Sequence, residues 1–234
     1  MTAIDGHGTT EATWMGWDAM ATWPSIDPAG IEQPVVVAPH PDDEILGIGG
    51  LLALLGHADI VAVTDGESSH PASDERTRSE LGRLRPVETE AALAALGGSY
   101  SVRRLGHPDG GIDETALADT LTGLLTPGSD CIATWRGDGH PDHEAVGRAA
   151  ATACAATGAR LWEYPVWMWH WAVPSDPRVD WHRARTVRLP PAVLAAKVTA
   201  IGQFTSQITP IGGVTILPPH VLARFHRSVE VVFG

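Results

Sequence analysis

Basic residues are scarce in this chain. Lys and Arg together number 16 against 28 Asp and Glu, a formal charge of −12. Binding a phosphate backbone needs clustered Lys and Arg, so a nucleic-acid partner is excluded. A neutral or cationic small molecule is not. Cysteine is nearly absent: Cys131 and Cys154 cannot make a disulfide scaffold, and both are expected as buried thiols of a reduced cytosolic protein. The first twenty residues lack a basic region and an apolar core of the kind a secretory signal carries. No apolar run approaches a membrane span, so no membrane association and a cytoplasmic location are expected. Internal repeats and low-complexity tracts are missing too.

What remains is ordinary for an enzyme. The 234 residues are 44% hydrophobic and 19% charged, with mean hydropathy near zero. That suffices to bury a sizeable core.

Val35-Val-Val-Ala38 is a short continuous apolar run, the pattern of a strand buried on both faces. Further strands are expected at 59–64, 102–105, 131–135, 161–166 and 229–233. Helices are expected at 45–55, 114–125, 144–157 and 192–204. A helix-compatible stretch at 74–84 is followed by Pro86, which suits the first turn of a new helix ending at Gly97-Gly98. Strands alternating with helices of this length predict an α/β fold: a Rossmann-like doubly wound, mostly parallel sheet with helices on both faces. Residues 1–33 read as an arm held by Trp14, Trp17 and Trp23, and 34–234 as a single domain.

Two clusters carry chemistry. Pro39-His40-Pro41-Asp42-Asp43-Glu44 directly follows the strand at 35–38, and His140-Pro141-Asp142-His143-Glu144 follows the strand at 131–135 through a Gly-containing loop. Carboxyl ends of parallel strands are where open α/β sheets hold ligands. Imidazole nitrogen and carboxylate oxygen both suit zinc, and the set leaves one coordination position open, as a catalytic zinc requires. Either cluster alone could be a helix N-cap with acids complementing the dipole. Capping does not explain why two of related composition follow strands of one sheet.

His40-Pro-Asp-Asp-Glu44 paired with His140-Pro-Asp-His143 resembles the PIG-L/LmbE-like de-N-acetylases. That family includes N-acetylglucosaminylphosphatidylinositol deacetylases and the deacetylases of mycothiol and bacillithiol synthesis. Arg85-Pro-Val-Glu88, Leu105-Gly-His-Pro-Asp109-Gly110 and the Lys197 to Ser206-Gln207 segment extend the resemblance over most of residues 35–210. The resemblance implies a Zn2+ site (Fe2+ being possible in the cell) at His40, Asp43 and His143. It implies Asp42 as general base, His140 as the residue that stabilises the oxyanion and can protonate the leaving amine, and Asp142 as the group orienting His140. Arg85 and Asp109 would contact sugar hydroxyls. The implied activity is hydrolysis of an N-acetyl, or other N-acyl, group from an amino-sugar-like small molecule. The chemistry agrees, because metal-acidified water, a neighbouring carboxylate base and a donor for the developing oxyanion are all offered.

Other readings stay open at this level: a tailoring deacylase acting on a natural product, a metal- or ligand-binding protein without catalysis, and a nucleotide-dependent Rossmann enzyme. For the last, Gly47-Ile-Gly49-Gly50 has the wrong spacing for a dinucleotide fingerprint and reads better as close backbone packing. The crowd of Trp162, Trp167, Trp169, Trp171 and Trp181 reads equally as core or as a lid with one or two sugar-facing rings. The histidines outside the two clusters read as structural or surface residues, with His107 left open. The acyl group, the aglycone and the oligomeric state are not legible.

Overall fold

The structure, a computed structural model, describes residues 6–70 and 74–234. Residues 1–5 of the expected N-terminal arm lie outside the described residues.

Seven strands form one sheet: β1 (Pro34–Ala38), β2 (His57–Ala62), β3 (Ser99–Arg104), β4 (Asp130–Thr134), β5 (Arg160–Tyr164), β6 (Ala184–Arg188) and β7 (Val229–Phe233), in the order β3-β2-β1-β4-β5-β7-β6. β3, β2, β1, β4 and β5 are parallel, while β7 runs antiparallel to both β5 and β6. The continuous apolar runs are explained by two-sided burial. Val36, Ile60 and Ile132 enter one core, whereas Val35, Val37, Val61, Cys131 and Ala133 enter the other. Both cysteines are free and buried.

The α-helices among the described residues are α1 (Glu11–Met15), α2 (Asp43–Leu55), α3 (Glu75–Leu96), α4 (Glu114–Leu124), α5 (Pro141–Thr157), α6 (Met168–Trp171), α7 (Pro191–Ile201), α8 (Thr205–Ile208) and α9 (Pro219–Leu222). Leu51 and Leu52 of α2, Leu93 of α3 and Ile201 of α7 fill the first core. Leu117 of α4 and Val146 of α5 fill the second, so helices cover both faces. Among the described residues no helix is long and apolar enough to cross a membrane.

Two elements differ from the sequence reading. Pro86 does not begin a helix; it lies inside the 22-residue α3. Its missing N–H costs one hydrogen bond, which the buried face of Leu81, Arg85, Glu88, Ala92 and Leu96 outweighs. β6 was not anticipated, since Ala-Arg-Thr-Val-Arg has only a short alternation at the sheet edge.

The glycines of α2 pack against the sheet and β7. A Cβ on Gly47 would lie 2.2 Å from the Tyr164 ring, and one on Gly50 2.4 Å from Leu189. The helix bends at Ile48, whose φ of −138° is not helical. The N–H groups of Gly50 and Leu51 donate to the Glu230 carboxylate at 2.6 and 2.8 Å, and Glu230 pairs with the buried Lys197. This packing fixes the register of α2, and with it the loop that precedes the helix.

The arm lies against the C-terminal half. The Trp14 indole N–H donates to the Trp169 carbonyl, and the Trp14 ring meets Trp17, Trp169 and Trp181. Arg227 holds Glu11.

Candidate metal centre

Strand order reverses between β1 and β4, and the loops leaving those two strands carry both clusters. A ligand site is expected at this switch point. Gly147 lets α5 approach closely, since a Cβ there would stand 2.6 Å from the Thr134 carbonyl. The Thr134 hydroxyl donates to the His143 carbonyl. The first turn of α5 is thereby held against β4.

His40 Nδ1 lies 3.1 Å from Asp43 Oδ2, and His143 Nε2 lies 3.3 Å from the same oxygen. Ligand atoms about 2.1 Å from a tetrahedral zinc stand roughly 3.3–3.4 Å apart. The spacing fits. His143 Nε2 is buried and has no hydrogen-bond partner among the described residues. Asp42, Asp43, Asp138 and Asp142 are all buried, and of the four only Asp42 pairs with a guanidinium, that of Arg85. Orphaned nitrogen and surplus negative charge both call for a cation. His40, His140 and His143 make a second combination with ligand atoms within 4.8 Å of one another. Asp43 Oδ2 lies within 3.3 Å of a nitrogen of both shared imidazoles.

Asp138 was not singled out from the sequence, where it lies between two glycines in the loop after β4. It is fully buried. His143 Nδ1 donates to its Oδ2 at 2.7 Å, which leaves the Nε2 lone pair free for a metal. The same carboxylate accepts the backbone N–H groups of Val166, Trp167 and Met168 at 2.9 Å each. One side chain thus ties a metal-facing imidazole to the Trp-rich segment. Asp138→Asn is expected to weaken metal affinity by about 10–100-fold, read by competition with a chromogenic chelator. Unchanged affinity would remove Asp138 from this role.

Asp142 departs from its expected part. Its carboxylate bonds His40 Nε2 at 3.1 Å and accepts the Gly110 N–H, so it orients His40 rather than His140. The reason is its place on the first turn of α5, where only its backbone N–H reaches His140 Nδ1. That bond requires a lone pair on Nδ1 and leaves the His140 proton on Nε2. Burial, together with the neighbouring His143 and His40, lowers the His140 pKa to about 4.

Asp42 adopts φ 122°, ψ −30°, a region most residues with a Cβ avoid, and holds it while buried. Such strain costs about 1–3 kcal/mol and persists where the surroundings over-determine it. Here Arg85 supplies the restraint, donating to Asp42 Oδ2 at 2.9 Å, to the Pro41 carbonyl at 2.6 Å and to the Gly66 carbonyl at 2.7 Å. Arg85, expected on a sugar, is nine-tenths buried behind the carboxylate. Burial raises the Asp42 pKa to about 7, with Arg85 opposing.

Asp109 stands in the cavity wall, with Oδ1 3.3 Å from His40 Nε2 and Oδ2 accepting the Ser68 N–H. His107 turns away, its Nδ1 facing the Asp113 N–H. Glu88 accepts the Ser206 N–H and hydroxyl, which joins two of the outer motifs and places Gln207 in the cavity. Of the clustered tryptophans, Trp167 lines the cavity, while Trp169 is core against Trp14.

A family model described as GlcNAc-PI de-N-acetylase (PIG-L) matches residues 35–154. A probable N-acetyl-α-D-glucosaminyl L-malate deacetylase 2 from Bacillus subtilis is 33% identical over 134 residues, covering 52% of this chain and 60% of its own length. Among solved structures, the conserved protein TT1542 from Thermus thermophilus is 27% identical with a TM-score of 0.55, covering 76% of this chain and 80% of its own. The N,N'-diacetylchitobiose deacetylase from Pyrococcus horikoshii shares the fold at 20% identity, with a TM-score of 0.63 over 87% of this chain and 80% of its own.

Proposed function

Because the chain belongs to the GlcNAc-PI de-N-acetylase (PIG-L) family, we propose that it is a zinc-dependent hydrolase removing an N-acetyl group from an amino sugar or its conjugate. One observation supports this above the others: His40 Nδ1 and His143 Nε2 converge on Asp43 Oδ2, at the cavity that Asp42 also lines. His40, Asp43 and His143 would hold the ion. A divalent cation there would supply Lewis acidity toward an amide carbonyl and acidify water.

The protein's own groups do the rest. Asp42, held by Arg85, accepts a proton as water attacks the acyl carbon. In the metal-free protein burial raises the Asp42 pKa above the usual carboxylate range, which strengthens it as a base. His140 enters the reaction neutral, and its Nε2–H donates to the developing oxyanion. Asp142 keeps the His40 ring in register through Nε2. When the C–N bond breaks, the proton on Asp42 passes to the departing nitrogen, giving a carboxylic acid and a free amine; the acid then loses its proton to solvent.

Free amine release from N-acetylglucosamine and its glycosides tests this reading. Zinc-loaded protein is expected to release amine, a chelator to abolish release, and added zinc to restore it. No release from any N-acylated amino sugar by the zinc-loaded protein would overturn the proposal.

A further inference from the structure

The cavity over the metal-facing residues measures about 340 Å³, near the lower end for small-molecule sites. Its lining is mixed: Ser68, Ser69 and Gln207 are polar, and Val166, Trp167 and Ile216 are apolar. Its charged groups are unequal. Asp42, Asp43 and Asp109 face it, and Arg85 is the sole Lys or Arg among its described lining residues.

That guanidinium is committed to Asp42, Pro41 and Gly66. Its Nε–H has no partner among the described residues but is sealed from solvent. The chain's one lysine, Lys197, is buried against Glu230. With Asp42 paired to Arg85, a divalent ion at the His40–Asp43–His143 cluster would be offset by Asp43 and by Asp109 and Asp142, whose carboxylates lie 3.3 and 3.1 Å from His40 Nε2. Nothing is left over to pair an anionic substrate, and a desolvated carboxylate without a partner is strongly disfavoured.

We infer that this cavity selects an uncharged glycoside of an N-acylated hexosamine and rejects one whose aglycone carries carboxylates. The inference rests on the hydrolase reading for its substrate core. It separates this chain from the Bacillus subtilis relative, whose name specifies a malate aglycone, a dicarboxylate. The apolar part of the lining fits the same preference, since the face of a sugar ring or an alkyl aglycone can lie on Trp167.

Methyl N-acetyl-α-D-glucosaminide and N-acetyl-α-D-glucosaminyl L-malate distinguish the cases. With zinc-loaded protein, kcat/KM for the methyl glycoside is expected to exceed that for the malyl glycoside by about 10²-fold. Thr215→Arg, which sets a cation at a half-exposed lining position, should narrow the gap. Equal or faster turnover of the malyl glycoside by the unmodified protein, or a gap that Thr215→Arg leaves unchanged, overturns the inference. If neither glycoside turns over, the pair is titrated calorimetrically against the zinc-loaded protein. Tighter binding of the methyl glycoside then upholds the charge selection while the hydrolase reading falls. Equal or tighter malyl binding, or binding of neither, overturns the selection.

Discussion

Asp42→Asn is expected to lower kcat by about 10²–10⁴-fold while leaving the metal content at its unmodified level. The substitution isolates proton transfer from geometry. Asn is among the few residues that tolerate positive φ, so the backbone at φ 122° need not relax. The amide oxygen can still accept from Arg85 as Asp42 Oδ2 does at 2.9 Å. What disappears is a carboxylate able to take a proton from water. Ala at the same position would also release the strain and strand a buried guanidinium, so a loss there would be ambiguous. Rate and metal content must be read together. Retained zinc with a kcat within threefold of the unmodified protein removes Asp42 as the base. Loss of zinc would make it part of the metal site instead.

How much of this was legible beforehand differs between the sheet and the site. The buried strands announce themselves, because Val35 to Ala38 and Cys131 to Thr134 must be apolar on both faces. The edge strand β6 carries arginines that reach solvent and lacks such a run. Pro86 misleads because local preference disfavours what the α3 packing enforces. Within the site, the clusters at His40 and His140 are contiguous in sequence, and their placement after two strands of one sheet could be reasoned from the strand pattern.

Asp138 could not be found that way. Its role depends on the chain returning after β5 so that the N–H groups of residues 166–168 meet its carboxylate, and no local spacing encodes that return. The Asp142 side chain likewise looks adjacent to His140 in sequence but is turned by the first helical turn toward His40. The apolar lining at Ile216 and Leu217 comes from a C-terminal loop with no periodicity to read.

His143→Ala is the second large effect expected: bound metal should fall from about one equivalent to less than a tenth, because three protein ligands become two. The substitution also leaves the fully buried Asp138 without its imidazole partner. Its bonds to three backbone N–H groups remain, so the fold should survive with a lowered melting temperature.

The pH dependence of metal uptake supplies a second reading of the same residue. Burial opposes charge on His143, but Asp43 and Asp138 on either side win and raise its pKa to about 9 in the metal-free protein. The sign follows. A pKa raised on folding contributes stability that is fully present below the unfolded value of 6.5 and is lost as pH rises through about 9. Metal must displace that proton, so this group alone should make apparent affinity fall by about tenfold for each pH unit below 9. Replacing His143 should flatten that slope along with the affinity. Equal metal content in the two proteins, or a pH slope unaltered by the substitution, would place the ion elsewhere in the cavity.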